Sequence, residues 1–285
     1  MTQVKETLKK KARALVLSGF GINCDLETEY ALRCAGAEAE RVHVNELISL
    51  CRQGPGLASY HILVLDGGFS WADDHGAGVL LGLKLRSHLG DHLEEFITAG
   101  KLIFGICNGF QALVNMGLLP GMDGDYQTRT VALTANDCGN FRNDWVCLVA
   151  DPGSRCVFTQ GLARIDLPIR HAEGKFYASS ETIHRLKDSG QVALRYATPD
   201  YEPAQGAFPY NPNGSLDDIA GICDETGRIF GLMPHPEAFH HLSNHPDWTR
   251  TLDRMRRSGQ TPTDLDGHGL LIFRNAVQYA KKNLL

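Results

Sequence analysis

The stretch KLIFGICNGFQALVNM, residues 101–116, decides the fold of this chain. Its apolar run at 102–104 predicts a buried strand, and the helical spacing of the apolar residues after the turn predicts a helix. In between, Gly105 and Gly109 flank Cys107 in a Gly-x-Cys-x-Gly turn, the pattern of a nucleophile elbow. We expect this sharp turn to lift the Cys107 sulfur to a helix N-terminus, where the reactive thiolate is favoured. The plain alternative is a small buried cysteine at a strand–helix junction.

The rest of the first half alternates strands and helices. Strands are predicted at 13–20, 39–44 and 61–65, and helices at 25–34, 46–51 and 79–97 with a break at Gly90. Because these strand runs are apolar throughout, they indicate a parallel sheet covered by helices on both faces. Sites on such sheets lie at the carboxyl ends of strands, where Cys107 falls.

The second half, after Gly121, has shorter elements separated by Gly, Pro and Asn turns. This pattern predicts a more antiparallel arrangement. The strand candidates lie at 128–133, 145–150, 167–171, 192–196, 219–223 and 229–233. A final amphipathic helix is predicted over 264–282, capped by Asp264.

Composition favours one large globular domain. The chain has 285 residues, 43% of them hydrophobic and 21% charged, with a net charge of -5. That charge argues against nucleic acid or an anionic membrane as the main partner. The sequence has no membrane-length apolar run and no signal-peptide pattern, and its eight cysteines are scattered without a CxxC pair. We therefore expect a cytoplasmic protein with reduced thiols, a basic leader at 1–12 and a single domain at 13–285.

The segment PHPE, residues 234–237, follows the last strand candidate and supplies partners for the nucleophile. A cysteine nucleophile needs a base and a third group that orients the base. Proline biases the residue before it towards an extended conformation, in which positions i and i+2 face the same way. Glu237 can therefore hold one ring nitrogen of His235 while the other nitrogen faces Cys107. Alone, PHPE is typical of turn prolines with two surface residues; together with the elbow, it favours chemistry.

An acyl-transfer site also needs hydrogen-bond donors for the developing oxyanion. Gly68, in the glycine turn after 61–65, can offer a free backbone N–H. Asn108, directly after the nucleophile, can offer another. For the two glycines alone, a plain tight turn is the alternative.

The motifs GICNGFQ (105–111) and PHPE resemble those of the class I, or triad, glutamine amidotransferases. Within that superfamily the chain is similar to the glutaminase subunits of phosphoribosylformylglycinamidine (FGAM) synthases, from about Arg13 to the final helix. The segments that carry this narrower resemblance are GFGINCDLE (19–27), DGGFSWADDHGAG (66–78), NDCGNFRNDWV (136–146), HAEGK (171–175) and NPNGS (211–215). The resemblance implies an α/β, three-layer, flavodoxin-like domain. Its central sheet would be mostly parallel and flanked by helices, with a more antiparallel C-terminal half.

The resemblance also implies roles for individual residues. Cys107 would be the nucleophile, His235 the general base and acid, and Glu237 its orienting partner. Gly68 and Asn108 would be the oxyanion donors. The residues implied near bound glutamine are Gly67, Phe69, Gln111, Asn136 and Phe141. His171 and Glu173, in the HAEGK loop, would face the synthetase partner and the ammonia exit.

The implied reaction is hydrolysis of L-glutamine to glutamate and ammonia through a Cys107 thioester. The ammonia would pass to a separate FGAM synthase synthetase subunit, and a small bridging subunit is a further candidate partner. ATP and magnesium are expected on the synthetase, so we expect no cofactor and no metal in this chain. Two features depart from the family: Ala238 replaces the usual Arg after the catalytic Glu, and 238–268 is long enough to predict a helical elaboration.

Other functions compete with this interpretation. The chain could serve a different amidotransferase complex, or be a non-catalytic amidotransferase-like regulatory subunit, although the complete triad argues against the latter. A metal-dependent hydrolase is suggested by His235, His240, His241 and His245, but their spacing fits no standard zinc pattern and better suits a polar helix surface. In a cysteine peptidase or chaperone with a related elbow, the residue after the cysteine is commonly His rather than Asn. Nucleotide binding lacks a complete glycine-rich motif.

Overall fold

The computed structural model describes residues 11–259 and 265–285, in which strands and helices alternate over the first half of the chain. The strands are β1 (Arg13–Ser18), β2 (Glu38–His43), β3 (Ile62–Leu65), β4 (Leu102–Ile106), β5 (Val131–Thr134), β6 (Arg142–Ala150), β7 (Arg164–His171), β8 (Lys175–Ala178), β9 (Val192–Ala197), β10 (Ile219–Cys223) and β11 (Ile229–Leu232). The helices are α1 (Asp25–Cys34), α2 (Val44–Gln53), α3 (Val79–Thr98), α4 (Asn108–Asn115), α5 (Ser180–Asp188), α6 (Trp248–Arg257) and α7 (Leu270–Asn283).

Nine of the described strands form one sheet in the order β2-β1-β3-β4-β11-β10-β9-β6-β7. The first five run parallel, and from β11 onward each neighbouring pair is antiparallel. Strands β5 and β8 form a separate antiparallel pair. The predicted α/β class, with a largely parallel sheet and a more antiparallel second half, is therefore confirmed.

The core lies on both faces of the β4–β11 pair. Phe104 of β4 stacks on Phe230 of β11, with ring centroids 5.1 Å apart, and Phe273 of α7 packs edge-on against Phe104. On the opposite face, Gly231 lies directly beneath the Phe110 ring of α4: a Cβ on Gly231 would approach that ring to 2.0 Å. Helices α7 and α4 thus cover opposite faces of the sheet, which makes the three layers.

The parallel strands place the functional segments at one edge of the sheet. The glycine turn follows β3, Cys107 follows β4, and the PHPE segment follows β11. In the register, Ile106 is level with Leu232, and Leu65 is level with Gly105. The carboxyl ends of three neighbouring strands therefore meet at one place, as the sequence predicted.

The predicted break at Gly90 is wrong. Helix α3 runs without interruption from Val79 to Thr98. A Cβ on Gly90 would meet nothing within 4 Å, so this position faces open space and makes no packing demand. The flanking Leu89 and Leu93 are buried, and their burial outweighs the roughly 1 kcal/mol by which glycine weakens a helix.

Several elements of the second half differ from the sequence prediction. The prediction lacked β8 and α5, which follow the HAEGK loop. It also began the last helix too early. Helix α7 begins at Leu270, because Gly267 and Gly269 pack tightly against the backbone near Phe239 and Pro236. The predicted cap, Asp264, lies outside the described residues.

Residues 238–268 hold a short 3₁₀ turn (Leu242–Asn244) and helix α6, which has no buried residue. The predicted basic leader lies almost entirely outside the described residues, which begin at Lys11. None of the helices in the described ranges has the length and apolarity that crossing a membrane would require.

Candidate active site

The elbow around Cys107 has the strained geometry that its sequence predicts. Cys107 has φ 49° and ψ −104°, a backbone conformation that residues other than glycine rarely adopt, and it immediately precedes α4. A Cβ on Gly105 would lie 2.8 Å from the Gly109 backbone, and one on Gly109 would lie 1.9 Å from the Leu65 oxygen. The Cys107 N–H donates to the Leu232 oxygen at 2.7 Å. The elbow is therefore fixed by close backbone contacts on both sides.

His235 and Glu237 lie side by side, as predicted, but not along an extended segment: His235 is extended, whereas Pro236–Ala238 form a short 3₁₀ turn. His235 Nδ1 and Glu237 Oε1 are 2.6 Å apart, and both side chains are almost completely buried. The backbone N–H of His235 donates to the Pro168 oxygen, which anchors the segment on β7. The remaining ring nitrogen, Nε2, makes no hydrogen bond with any described residue. Cys107 Sγ instead donates to the Arg170 oxygen at 3.7 Å.

The charge state of His235 follows from its neighbours. Burial lowers the pKa of His235, but the Glu237 carboxylate and Cys107 raise it more, so that the pKa lies well above the usual 6.5. His171, 2% exposed, behaves in the opposite way. Burial, assisted by the charge of His235, lowers the pKa of His171 to about 3. The site therefore favours a charged His235 beside a neutral His171.

The two expected oxyanion donors are free in the described structure. The backbone N–H groups of Gly68 and Asn108 donate to no described acceptor, whereas the Phe69 N–H donates to the Gly21 oxygen. The Asn108 side chain is held in place, because its Oδ1 accepts from the Ser70 N–H and its Nδ2 donates to Asp73 at 2.8 Å. Both N–H groups therefore have no competing acceptor among the described residues.

Two cavities meet at this edge of the sheet. The smaller, of about 30 Å³, lies at the Cys107 sulfur, and its other walls include Gln111, His171 and Glu173. The larger, of about 270 Å³, is lined by Asn23, Cys24, Glu27, Gly68, Phe69, Phe141, Arg170 and His235. Gly68, Phe69 and Arg170 belong to both walls, so they lie between a space for about one water-sized molecule and one with room for an amino acid.

The remaining predicted residues occupy different positions around these cavities. Gly67 lies against His235, since a Cβ there would approach the ring to 2.7 Å. The Phe69 and Phe141 rings are 6.1 Å apart at the larger cavity. Asn136 lines neither cavity: its amide donates to the His171 oxygen, and its Oδ1 accepts from the Gly174 N–H. It therefore fixes the HAEGK loop from behind.

The HAEGK loop is tied to the rest of the site through Glu173. The Ala77 N–H donates to Glu173 Oε2 at 3.2 Å, and Gln111 Nε2 donates to the Glu173 backbone oxygen. His171 is buried, and its Nε2 has no hydrogen-bond partner among the described residues. The structure thus places His171 inside the protein, at the wall of the small cavity.

Three residues beside the catalytic group carry no motif that predicts their position. Cys24 Sγ lies 3.9 Å from His235 Nδ1, and burial, as the main cause, raises the pKa of its thiol to about 11. Asp66 is fully buried, and burial raises its pKa well above the usual value. Arg170 contributes the carbonyl that accepts from Cys107. Cys24 lies in GFGINCDLE, one of the quoted segments, which was the available signal.

Among the described residues, His240, His241 and His245 belong to no group with metal-ligand spacing. His241 caps the turn Leu242–Asn244, and His245 packs on Trp145 with ring centroids 4.6 Å apart. These histidines do not lie on a helix surface, so that interpretation was wrong: they serve a turn and an aromatic contact. Within the described ranges, the group with metal-ligand geometry is Cys24, His235 and Glu237, whose ligand atoms all lie within 4.8 Å of one another.

Comparison with known proteins gives consistent results. Residues 11–280 match the CobB/CobQ-like glutamine amidotransferase domain. A phosphoribosylformylglycinamidine synthase subunit PurQ from Methanococcus maripaludis is 43% identical over 275 residues, covering 96% of this chain and 100% of the relative. A protein of the same name from Dehalococcoides mccartyi is 44% identical over 272 residues, covering 95% and 99%.

Among solved structures, the PurLQS structure from Thermotoga maritima contains a similar chain. The TM-score is 0.67 at 28% identity, and the match covers 95% of this chain and 99% of that one.

Proposed function

The chain belongs to the CobB/CobQ-like glutamine amidotransferase family, and from this premise we propose that its Cys107, His235 and Glu237 hydrolyse L-glutamine. It acts as the glutaminase subunit of phosphoribosylformylglycinamidine synthase in purine biosynthesis, in line with its relatives of that name. The observation that carries the assignment of residues is the strained Cys107 elbow beside the 2.6 Å His235–Glu237 contact.

In the proposed first step, the Cys107 thiolate attacks the side-chain amide carbon of glutamine. The Gly68 and Asn108 N–H groups donate hydrogen bonds to the amide oxygen and stabilise the negative charge that develops on it. His235, held in its charged form by Glu237, protonates the departing ammonia and leaves a γ-glutamyl thioester on Cys107. In the second step, the now neutral His235 activates a water molecule that hydrolyses the thioester to glutamate.

The two cavities suit the two small molecules of this reaction. We place glutamine in the larger cavity, between Phe69 and Phe141, with its side chain extended towards Cys107. We assign the small cavity, walled by His171 and Glu173, to the departing ammonia. A neutral His171 supports this role, because it adds no positive charge to the path of an ammonium-forming product. Gln111 and Asn136 act by holding the Glu173 loop in place.

The chain works as one subunit of a larger synthase, as the names of its relatives state for them. We further propose that ATP and magnesium are bound by the synthetase partner, that this chain carries no resident cofactor, and that a small subunit bridges the two. A cytoplasmic location is part of the same proposal, supported by the eight cysteines, all of which are free thiols.

Mass spectrometry after exposure to a diazo-ketone analogue of glutamine tests this function. We expect one adduct on Cys107, blocked by excess glutamine and absent in Cys107→Ala. A Cys34→Ser variant is the matched control, because Cys34 is an exposed thiol away from the site, and it should keep the adduct. Labelling spread over the other cysteines, with the synthetase partner present, would refute the proposal and leave the regulatory-subunit alternative.

A further inference from the structure

A second buried thiol lies beside the His235–Glu237 pair and has no part in glutamine hydrolysis as proposed. Cys24 Sγ is 3.9 Å from His235 Nδ1, the same nitrogen that contacts Glu237 Oε1 at 2.6 Å. The three side chains are buried, and their potential ligand atoms lie within 4.8 Å of one another. They come from two distant segments, since Cys24 and His235 are 211 residues apart in the chain. The fold therefore creates this cluster, and no local sequence pattern reveals it.

The cluster contains the three donor types that zinc takes in proteins: a cysteine sulfur, a histidine nitrogen and a carboxylate oxygen. In a tetrahedral zinc site, bond lengths of about 2.0 to 2.3 Å place neighbouring S and N ligands about 3.5 Å apart, and N and O ligands about 3.3 Å apart. The Cys24–His235 distance is close to the first value. The His235–Glu237 contact would have to lengthen by about 0.7 Å to reach the second.

One oxygen of the Glu237 carboxylate is available as a metal ligand. Glu237 is 1% exposed, and its second oxygen, Oε2, has no hydrogen-bond partner among the described residues. A rotation of the carboxylate can therefore present an oxygen to a cation without breaking a second hydrogen bond. This unpaired buried oxygen is independent of the thiol, and it lacks the partner that buried polar groups normally have.

A cation can reach the cluster from the larger cavity. Cys24 and His235 both line that cavity, and so does the half-buried Glu27, whose carboxylate attracts cations. Arg170 lies on the same wall and opposes this attraction. The cavity has a volume of about 270 Å³, which leaves space for a water molecule as the fourth ligand.

We propose that Cys24, His235 and Glu237 form an inhibitory site for Zn²⁺. On binding, the metal replaces the thiol proton of Cys24 and the Nδ1 proton of His235, and both protons pass to solvent. The imidazole then keeps its single proton on Nε2, so it can no longer accept one from Cys107 or from water. Glu237, bound to the metal, no longer orients the ring. Zinc thus converts the catalytic base into a metal ligand and stops turnover.

Cobalt(II) is the probe for the site, because it takes zinc positions and its thiolate charge-transfer absorption reports a sulfur ligand. We expect the free chain to bind one equivalent of Co²⁺ with this absorption, and zinc to displace it. Cys107→Ala and Cys51→Ser should behave like the wild type, the latter as a matched control in which another buried thiol is removed. Cys24→Ser should lose the absorption and bind at least 100-fold more weakly. Cys24→Ala repeats the test if the serine variant does not fold.

Absorption that persists without Cys24 would overturn the proposal, and so would absorption that disappears in Cys107→Ala, because the metal would then sit on the nucleophile. In the complete synthase, zinc should abolish wild-type glutaminase activity reversibly, and a chelator should restore it. Cys24→Ser, compared with its own metal-free rate, should resist the same zinc concentration. Zinc binding without inhibition would overturn the inhibitory role. The inhibitory role rests on the proposed function, whereas the cobalt spectra decide the metal site even if no glutaminase activity is found.

Discussion

Replacing Glu237 by glutamine tests how much the buried carboxylate contributes to the charge and orientation of His235. At the observed 2.6 Å, and with an effective dielectric constant of about 20, a carboxylate attracts an imidazolium by about 6 kcal/mol. Burial opposes the charged ring, so only part of that energy is retained. The amide has the same shape without the charge, and we expect kcat for glutamine hydrolysis to fall by about 10² to 10⁴, or about 3 to 5 kcal/mol.

The assay is glutamate release by the complete synthase, with and without the Glu237→Gln substitution. Glu27→Gln is the control, since it removes a carboxylate from the larger cavity and leaves Glu237 in place beside His235, and its effect should be at least tenfold smaller. Labelling of Cys107 by the diazo-ketone should also slow in Glu237→Gln, because His235 would lose the carboxylate that orients its ring. Equal kcat values for the wild type and Glu237→Gln would refute the reasoning, since the carboxylate would then contribute nothing to the chemical step.

Three further predictions concern stability. The pKa of His235 is raised on folding, so the stability gained from its pairing with Glu237 is fully present below about pH 6.5 and is lost as the pH rises through the folded-state pKa. The difference in free energy of unfolding between the wild type and Glu237→Gln should therefore shrink as the pH increases. A difference that stays constant with pH in urea unfolding would contradict this. Asp66 is fully buried and its pKa is raised, so Asp66→Asn should stabilise the protein by about 1 kcal/mol or more at neutral pH and have almost no effect at about pH 4. Thermal unfolding measures both values. A stabilisation independent of pH would exclude the charge as its cause. Gly109→Ala would place a Cβ 1.9 Å from the Leu65 oxygen, so it should lower the free energy of unfolding by about 1 to 3 kcal/mol and also abolish labelling of Cys107. Gly90→Ala, with nothing within 4 Å, should instead stabilise α3 by about 0.5 to 1 kcal/mol. The reverse order of melting temperatures would show that the packing argument is incorrect.

The sequence predicted those parts of the fold and site that depend on local patterns. The elbow and the parallel sheet follow from the spacing of Gly105, Cys107 and Gly109 and from apolar strand runs. Their mutual placement follows from one rule, that parallel strands share a carboxyl edge. The fold class was therefore predictable without knowledge of a single tertiary contact.

The remaining features depend on contacts that no local pattern encodes. Gly90 looked like a helix break because propensity alone cannot show that Leu89 and Leu93 are buried. Helix α5 is mostly polar and has one buried residue, Leu186, so no apolar run marks it in the sequence. Cys24 reaches His235 only through the folded sheet. Likewise, the role of Asn136 behind the HAEGK loop becomes visible only when its bonds to His171 and Gly174 are known.

The backbone hydrogen bond from the Cys107 N–H to the Leu232 oxygen has a consequence for the synthesis of the protein. During translation, the thiol leaves the ribosome long before the strand that carries its histidine has been synthesised. Strand β4 can acquire its neighbour β11 only after most of the chain has emerged, so this pairing is among the most non-local in the molecule. Until then, the cysteine lacks its base and the Leu232 acceptor of its backbone N–H. A nascent or truncated chain therefore carries an ordinary thiol, and the capacity to cleave glutamine arises only when synthesis is almost complete.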